Sequence, residues 1–159
     1  MISQRGPGKP TKKHVGNSKW LLGLTWVVFT MYSAAVIYWM FIGFGRHIHT
    51  GGTLHYNLVP LRTVRLFLNF GNGVSLMDRS VNLIGNVVVF IPFGFMLPLI
   101  QVSLFSWLRL TFRAAYIVLL LEILQMLLQV GSFDIDDLLL NLIGVWIGYG
   151  LLRLTSKMN

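Results

Sequence analysis

The chain has no cysteine and few acids, five Asp and Glu in 159 residues. The first absence excludes disulfides, thiol chemistry and any Cys-ligated metal. The second leaves a net charge of +8, with charged residues only 11% of the total, far below the roughly 25% of a soluble domain. Also missing are a Gly-rich phosphate loop, a nucleophile elbow and a zincin motif, which removes the common nucleotide, acyl-transfer and zinc-protease classes. What fills the chain is apolar: 55% hydrophobic residues, gathered in long runs without formal charge. Lipid is the solvent such runs require. The basic residues stand between the runs, where they meet anionic headgroups, so the positive charge does not indicate nucleic acid.

Four runs define the expected architecture, an all-α membrane protein built as a four-transmembrane-helix bundle. Residues 1–19, basic and rich in Gly and Pro, read as a disordered tail. The 20–159 remainder reads as the transmembrane domain. The first span is expected over about 20–44, whose 25 uncharged residues exceed the hydrocarbon thickness with some tilt. A cleaved signal peptide is the rival reading, but the run outlasts a normal h-region and Ser33-Ala34-Ala35 is a poor cleavage site. A 36-residue segment, 45–80, follows; within it LVPLRTVRLFLNF reads as a short interfacial helix. The remaining spans are expected over about 81–100, 114–130 and 138–154. Pro92 and Gly94 kink the second, and Gly131 ends the third. With four crossings both termini share one side, which collects nine Lys and Arg against four on the other. That bias predicts a multi-pass protein of the cell membrane with cytoplasmic termini.

This topology brings the acids together toward the outer side. Asp78, Asn82 and Asn86 fall four apart and should share one stripe of the second helix; Glu122, Gln125 and Gln129 do so on the third. On the fourth, Asp134, Asp137, Asn141, Gly144 and Gly148 repeat at three and four. Gly144-x-x-x-Gly148 reads as helix packing alone, and the Asn residues equally as interhelical hydrogen bonds. Glu122, inside an apolar run, must face the bundle or a wet cavity, paired with Arg62, Arg65 or Arg79 or carrying function. Asp134, Asp136 and Asp137 are explained in part by helix capping, and alternatively as an oxygen-only site for magnesium, calcium or manganese. His47, His49 and His55 match no metal spacing. The expected ligand-binding set is therefore Arg62, Arg65, Asn82, Asn86, Glu122, Gln125, Asp134, Asp137 and Asn141, with Glu122 the candidate catalytic base.

The stretches NLVPLRTV (57–64), NLIGNVVVFIPFGFMLPLI (82–100), LEILQMLLQVGSFDIDD (121–137) and LLLNLIGVWIGYG (138–150) together resemble the VanZ-like family of small bacterial membrane proteins. The motif positions are Asn57, Pro60, Asn82, Asn86, Phe90, Pro92, Gly94, Glu122, Gln125, Asp134, Asp137, Asn141 and Gly144; the basic tail lies outside the pattern. The resemblance implies an association with glycopeptide resistance, chiefly to teicoplanin, and supplies no catalytic role. Three functions stay open. One is an envelope factor binding the headgroup of a membrane lipid or lipid-linked envelope precursor. A second is a cation-dependent intramembrane enzyme acting on a lipid phosphate. The third is a proton or ion relay, which the shortage of acids toward the cytoplasmic side disfavours.

Overall fold

The computed structural model describes residues 15–43 and 54–157. Most of the basic tail, together with Arg46, His47 and His49, lies outside them. The described chain is almost wholly helical: α1 (Val15–Phe41), α2 (Arg62–Leu68), α3 (Leu76–Ser80), α4 (Asn86–Ile100), α5 (Trp107–Leu127) and α6 (Ile135–Lys157). A π-helical turn, Val81–Gly85, joins α3 to α4, and a 3-10 turn, Val102–Phe105, precedes α5. Four stretches are long and apolar enough to cross a membrane: Lys19–Phe41, Leu76–Ile100, Trp107–Leu127 and Ile135–Ser156. The first helix thus begins at Val15, inside the stretch assigned to the tail. The third begins at Trp107 despite Arg109 and Arg113, whose exposed heads fit the polar end of a span.

Large apolar side chains cover the outside, Trp20, Trp26, Met31, Phe112 and Tyr116 among them. This is the surface expected of a chain solvated by hydrocarbon, where outward apolar residues need no protein partner. Packing inside depends on close fit. α4 and α6 form the most extensive helix contact. They run parallel, for Gly144 lies against Val87 and Gly148 against Ile91 further along both helices. A Cβ added at Gly148 would stand 1.9 Å from the Ile91 carbonyl oxygen, and one at Gly94 1.9 Å from that of Val145. Only glycine permits backbones so near each other. Around this contact Phe90, Leu110, Ala114, Val118, Leu142 and Val145 build the core.

α1 is held more lightly, mainly on α4. Phe29 and Tyr32 set their rings against Phe93, and the Tyr32 hydroxyl donates to the Val89 carbonyl at 2.9 Å, in the stretch that Pro92 loosens. An apolar cavity of about 160 Å³ remains between α1, α4 and α5, lined by Phe29, Ser33, Val36, Phe93 and Val118 among others.

Two features at the loop end departed from expectation. α5 ends in a Schellman motif: the Val130 N–H donates to the Gln125 carbonyl and the Gln129 N–H to that of Met126. The left-handed residue that closes it is Gln129, with φ 55°, and not Gly131. The π turn breaks the stripe expected on the second span, because its wider turn sets later residues back around the axis.

Candidate functional site

The loop before the second span is folded onto the start of α6 by two carboxylates. A two-residue parallel pairing, β1 (Tyr56–Asn57) with β2 (Phe133–Asp134), brings the segments side by side. Asp134 stands at the N-cap of α6, and its Oδ1 accepts from the backbone N–H of Asp136 at 2.9 Å. The same oxygen accepts from Asn57 Nδ2 at 3.1 Å, and Oδ2 accepts from the Thr63 hydroxyl at 2.5 Å. Asp136, fully buried, does for α2 what Asp134 does for α6. Its Oδ1 accepts from the Leu61 N–H at 2.5 Å; its Oδ2 accepts from those of Thr63 at 2.8 Å and Val64 at 3.1 Å. A helix start leaves such amides without intrahelical partners, and here a carboxylate from another segment satisfies them. Local sequence supports the turn, since Asn57 Oδ1 accepts from the Val59 N–H two residues on and Pro60 precedes Leu61.

The fold leaves a cleft of about 580 Å³ beside these clamps, lined by His55, Tyr56, Asn57, Arg62, Thr63, Arg65, Leu66, Asn69, Ser132 and Asp134. Arg62 and Arg65, three apart on α2, both reach its wall. Both are exposed, and neither guanidinium has a hydrogen-bond or ion-pair partner among the described residues. Asp134 is nearly buried, with its carboxylate already bound to Asn57 and Thr63. The exposed charge of the cleft is therefore cationic. Two free guanidiniums flanked by amide and hydroxyl groups suit an oxyanion such as phosphate.

Arg79 behaves differently. It is buried, and its guanidinium donates to the carbonyls of Val74 and Phe67 and to Asn72 Oδ1, while stacking 5.0 Å from the Phe70 ring centroid. It fastens the turn between α2 and α3.

Of the nine expected ligand-binding residues, the cleft takes Arg62, Arg65 and Asp134. The other six lie elsewhere. Asn86 donates to Asp137 Oδ1 at 2.6 Å, tying α4 to α6. Asn82, within the π turn, donates back to the Asp78 carbonyl of α3 at 3.1 Å. Gln125 is buried on α5 and donates to the Met40 carbonyl of α1 at 2.7 Å. Glu122, one turn before it, is buried, as is Asn141 on α6, whose Oδ1 has no partner among the described residues. The expected single pocket thus divides into a loop-side cleft and a set of polar groups between helices.

The acidic run is engaged by donors of the protein itself. Among the described residues no three of His, Asp and Glu are placed to hold a metal ion. The oxygens of Asp134 and Asp136 face N–H and O–H donors, and Asp137 meets Asn86. Asp78 also belongs to a cap: Ser75 Oγ accepts from the Asp78 N–H and donates to its carboxylate. Thr63, Asn69, Tyr56 and Ser132, which no spacing in the sequence marks, also line the cleft.

The family model described as VanZ/LLP1 matches residues 20–156, which include the four spans apart from Lys19 and every residue of the cleft. No curated protein and no solved structure matches the chain. Matched over most of its length, the chain belongs to the VanZ/LLP1 family.

Proposed function

We propose that this protein works in the cell membrane as a binder of anionic headgroups, holding the phosphate of a lipid or lipid-linked envelope precursor in the loop-side cleft. The observation that carries the reading is the pair of exposed guanidiniums, Arg62 and Arg65, on the wall of a cleft whose one carboxylate is already hydrogen-bonded. Arginine recognises phosphate through two parallel N–H donors, and α2 presents both residues from a short helix clamped at its start by Asp136. In this reading both termini are cytoplasmic and the cleft faces outward, as the distribution of basic residues favours. Sequestering a precursor headgroup there would alter how a glycopeptide such as teicoplanin meets its target, which would account for the association with resistance that the VanZ-like resemblance implies.

The cation-dependent enzyme fares worse, because the carboxylates it needs already accept donors from the protein. Glu122 is buried on α5, outside the lining of the cleft. The test is lipid-extract mass spectrometry of purified wild type and the Arg62→Ala, Arg65→Ala double variant, with teicoplanin susceptibility measured in parallel. A specific phosphate-bearing lipid should accompany wild type and be lost from the variant. Equal lipid content in both would overturn the reading.

A further inference from the structure

The cleft sits in an apolar surround. Before α2, Leu58, Val59 and Leu61 are exposed; at its end and beyond, Leu68, Phe70 and Met77 are exposed, Phe70 by 74% and Met77 by 69%. A water-facing loop with so many uncovered large apolar side chains would be an aggregation surface. Here it is continuous with the membrane-facing exterior, for Met77 and its neighbour Leu76 already belong to the stretch Leu76–Ile100 that is apolar enough to span. On α2 and its C-cap the two kinds of residue share the exposed arc: Arg62, Arg65 and the capping Asn69 in its middle, Leu68 at one edge and Leu66 at the other. Such an arrangement lies in the interface, with leucines among acyl chains and arginine heads at the level of the lipid phosphates.

We propose that the cleft is loaded sideways from its own leaflet: its ligand is a phosphate-bearing lipid whose chains stay in the membrane, and not a water-soluble phosphate. The proposal rests on the reading of the cleft as a headgroup site and adds the route by which the lipid enters it. A lipid delivers its phosphate at the depth where Arg62 and Arg65 wait, while the rim leucines cover the first part of its chains. A soluble phosphate meets the same two arginines in competition with water and neighbouring headgroups, and gains nothing from the rim.

The test places the full chain in phosphatidylcholine nanodiscs containing a trace of fluorescent phosphatidic acid and measures the enrichment of that lipid beside the protein. Wild type should enrich it, and Arg62→Ala and Arg65→Ala should each lower the enrichment roughly fivefold. Millimolar inorganic phosphate or glycerol 3-phosphate should leave the enrichment unchanged. Leu61→Asn keeps a residue that tolerates the left-handed backbone and removes the apolar rim, so it should lower enrichment while thermal unfolding confirms the fold. If the soluble phosphates displace the lipid at such concentrations, sideways loading fails while the anion cleft stands. If wild type enriches no lipid and binds no soluble phosphate, or enriches lipid equally without the arginines, both readings fail.

Discussion

The carboxylate of Asp136 holds the backbone N–H of Leu61 at 2.5 Å, in a residue whose φ of 63° a leucine rarely adopts. The left-handed conformation costs a β-carbon roughly 1–2 kcal/mol, so it persists only where the surroundings impose it. Asp136 imposes it by accepting three amides from one short stretch, Leu61, Thr63 and Val64, and so fixes the angle at which α2 carries its arginines.

Asp136→Asn should therefore be nearly as damaging as Asp136→Ala, although the side chains of Asp and Asn have the same shape. The amide has one acceptor oxygen in place of two, and its NH₂ would face backbone donors. With buried N–H groups left unsatisfied, we expect a loss of about 2–5 kcal/mol for either variant. Thermal unfolding in detergent reads the effect; an Asp136→Asn protein that melts with wild type would show that the amides find other partners.

The glycines of α6 give a control within one helix. Gly148→Ala drives a Cβ into the Ile91 carbonyl and must push α4 and α6 apart, whereas a Cβ at Gly150 meets nothing within 4 Å. The expected loss for Gly148→Ala is about 1–3 kcal/mol, by forced separation of the packed backbones. Gly150→Ala should be neutral or slightly stabilising, since alanine favours the helix. Equal melting temperatures for the two variants would mean that the close α4–α6 contact does not hold the bundle together.

How much of this could be read beforehand depends on the range of each interaction. The four spans were legible because each is one long, mostly apolar run with few charges, a property local to 20 or so residues. Gly144 and Gly148 were legible as a packing face because helical spacing alone places them on one stripe. The roles of the acids were not. Asp134 and Asp136 look alike in sequence, yet one caps its own helix while the other caps a helix more than 70 residues away. A two-residue strand pairing brings the two segments together, and a strand so short leaves no hydrophobic period to detect. Asn82 and Asn86 failed for another reason: spacing of four implies a shared face only while the helix keeps its α pitch, and Val81–Gly85 does not.

Asn86 and Asp137 now form a pair whose strength can be isolated. Because Asp137 sits in the first turn of α6 and Asn86 in that of α4, their 2.6 Å contact ties two parallel helices at the same end. A double-mutant cycle with Asn86→Ala and Asp137→Ala should give a coupling energy of about 0.6–1.7 kcal/mol, the range of interhelical hydrogen bonds in membranes. Strictly additive losses would mean the contact contributes nothing beyond its separate environments.

At the other end of the same loop cluster, Gln129 offers a gain in place of a loss. It occupies the left-handed position that closes α5, with both Schellman hydrogen bonds made by backbone atoms, so its side chain is not needed for the motif. Glycine meets the same geometry without a β-carbon penalty, and Gln129→Gly should stabilise by about 1 kcal/mol after its larger unfolded-state entropy is counted. Gln129→Val, which adds branching at Cβ where φ is positive, should destabilise by more than that. The two variants must move the melting temperature in opposite directions. If Gln129→Gly also lowers it, the glutamine side chain makes a stabilising contact that outweighs the strain of its backbone.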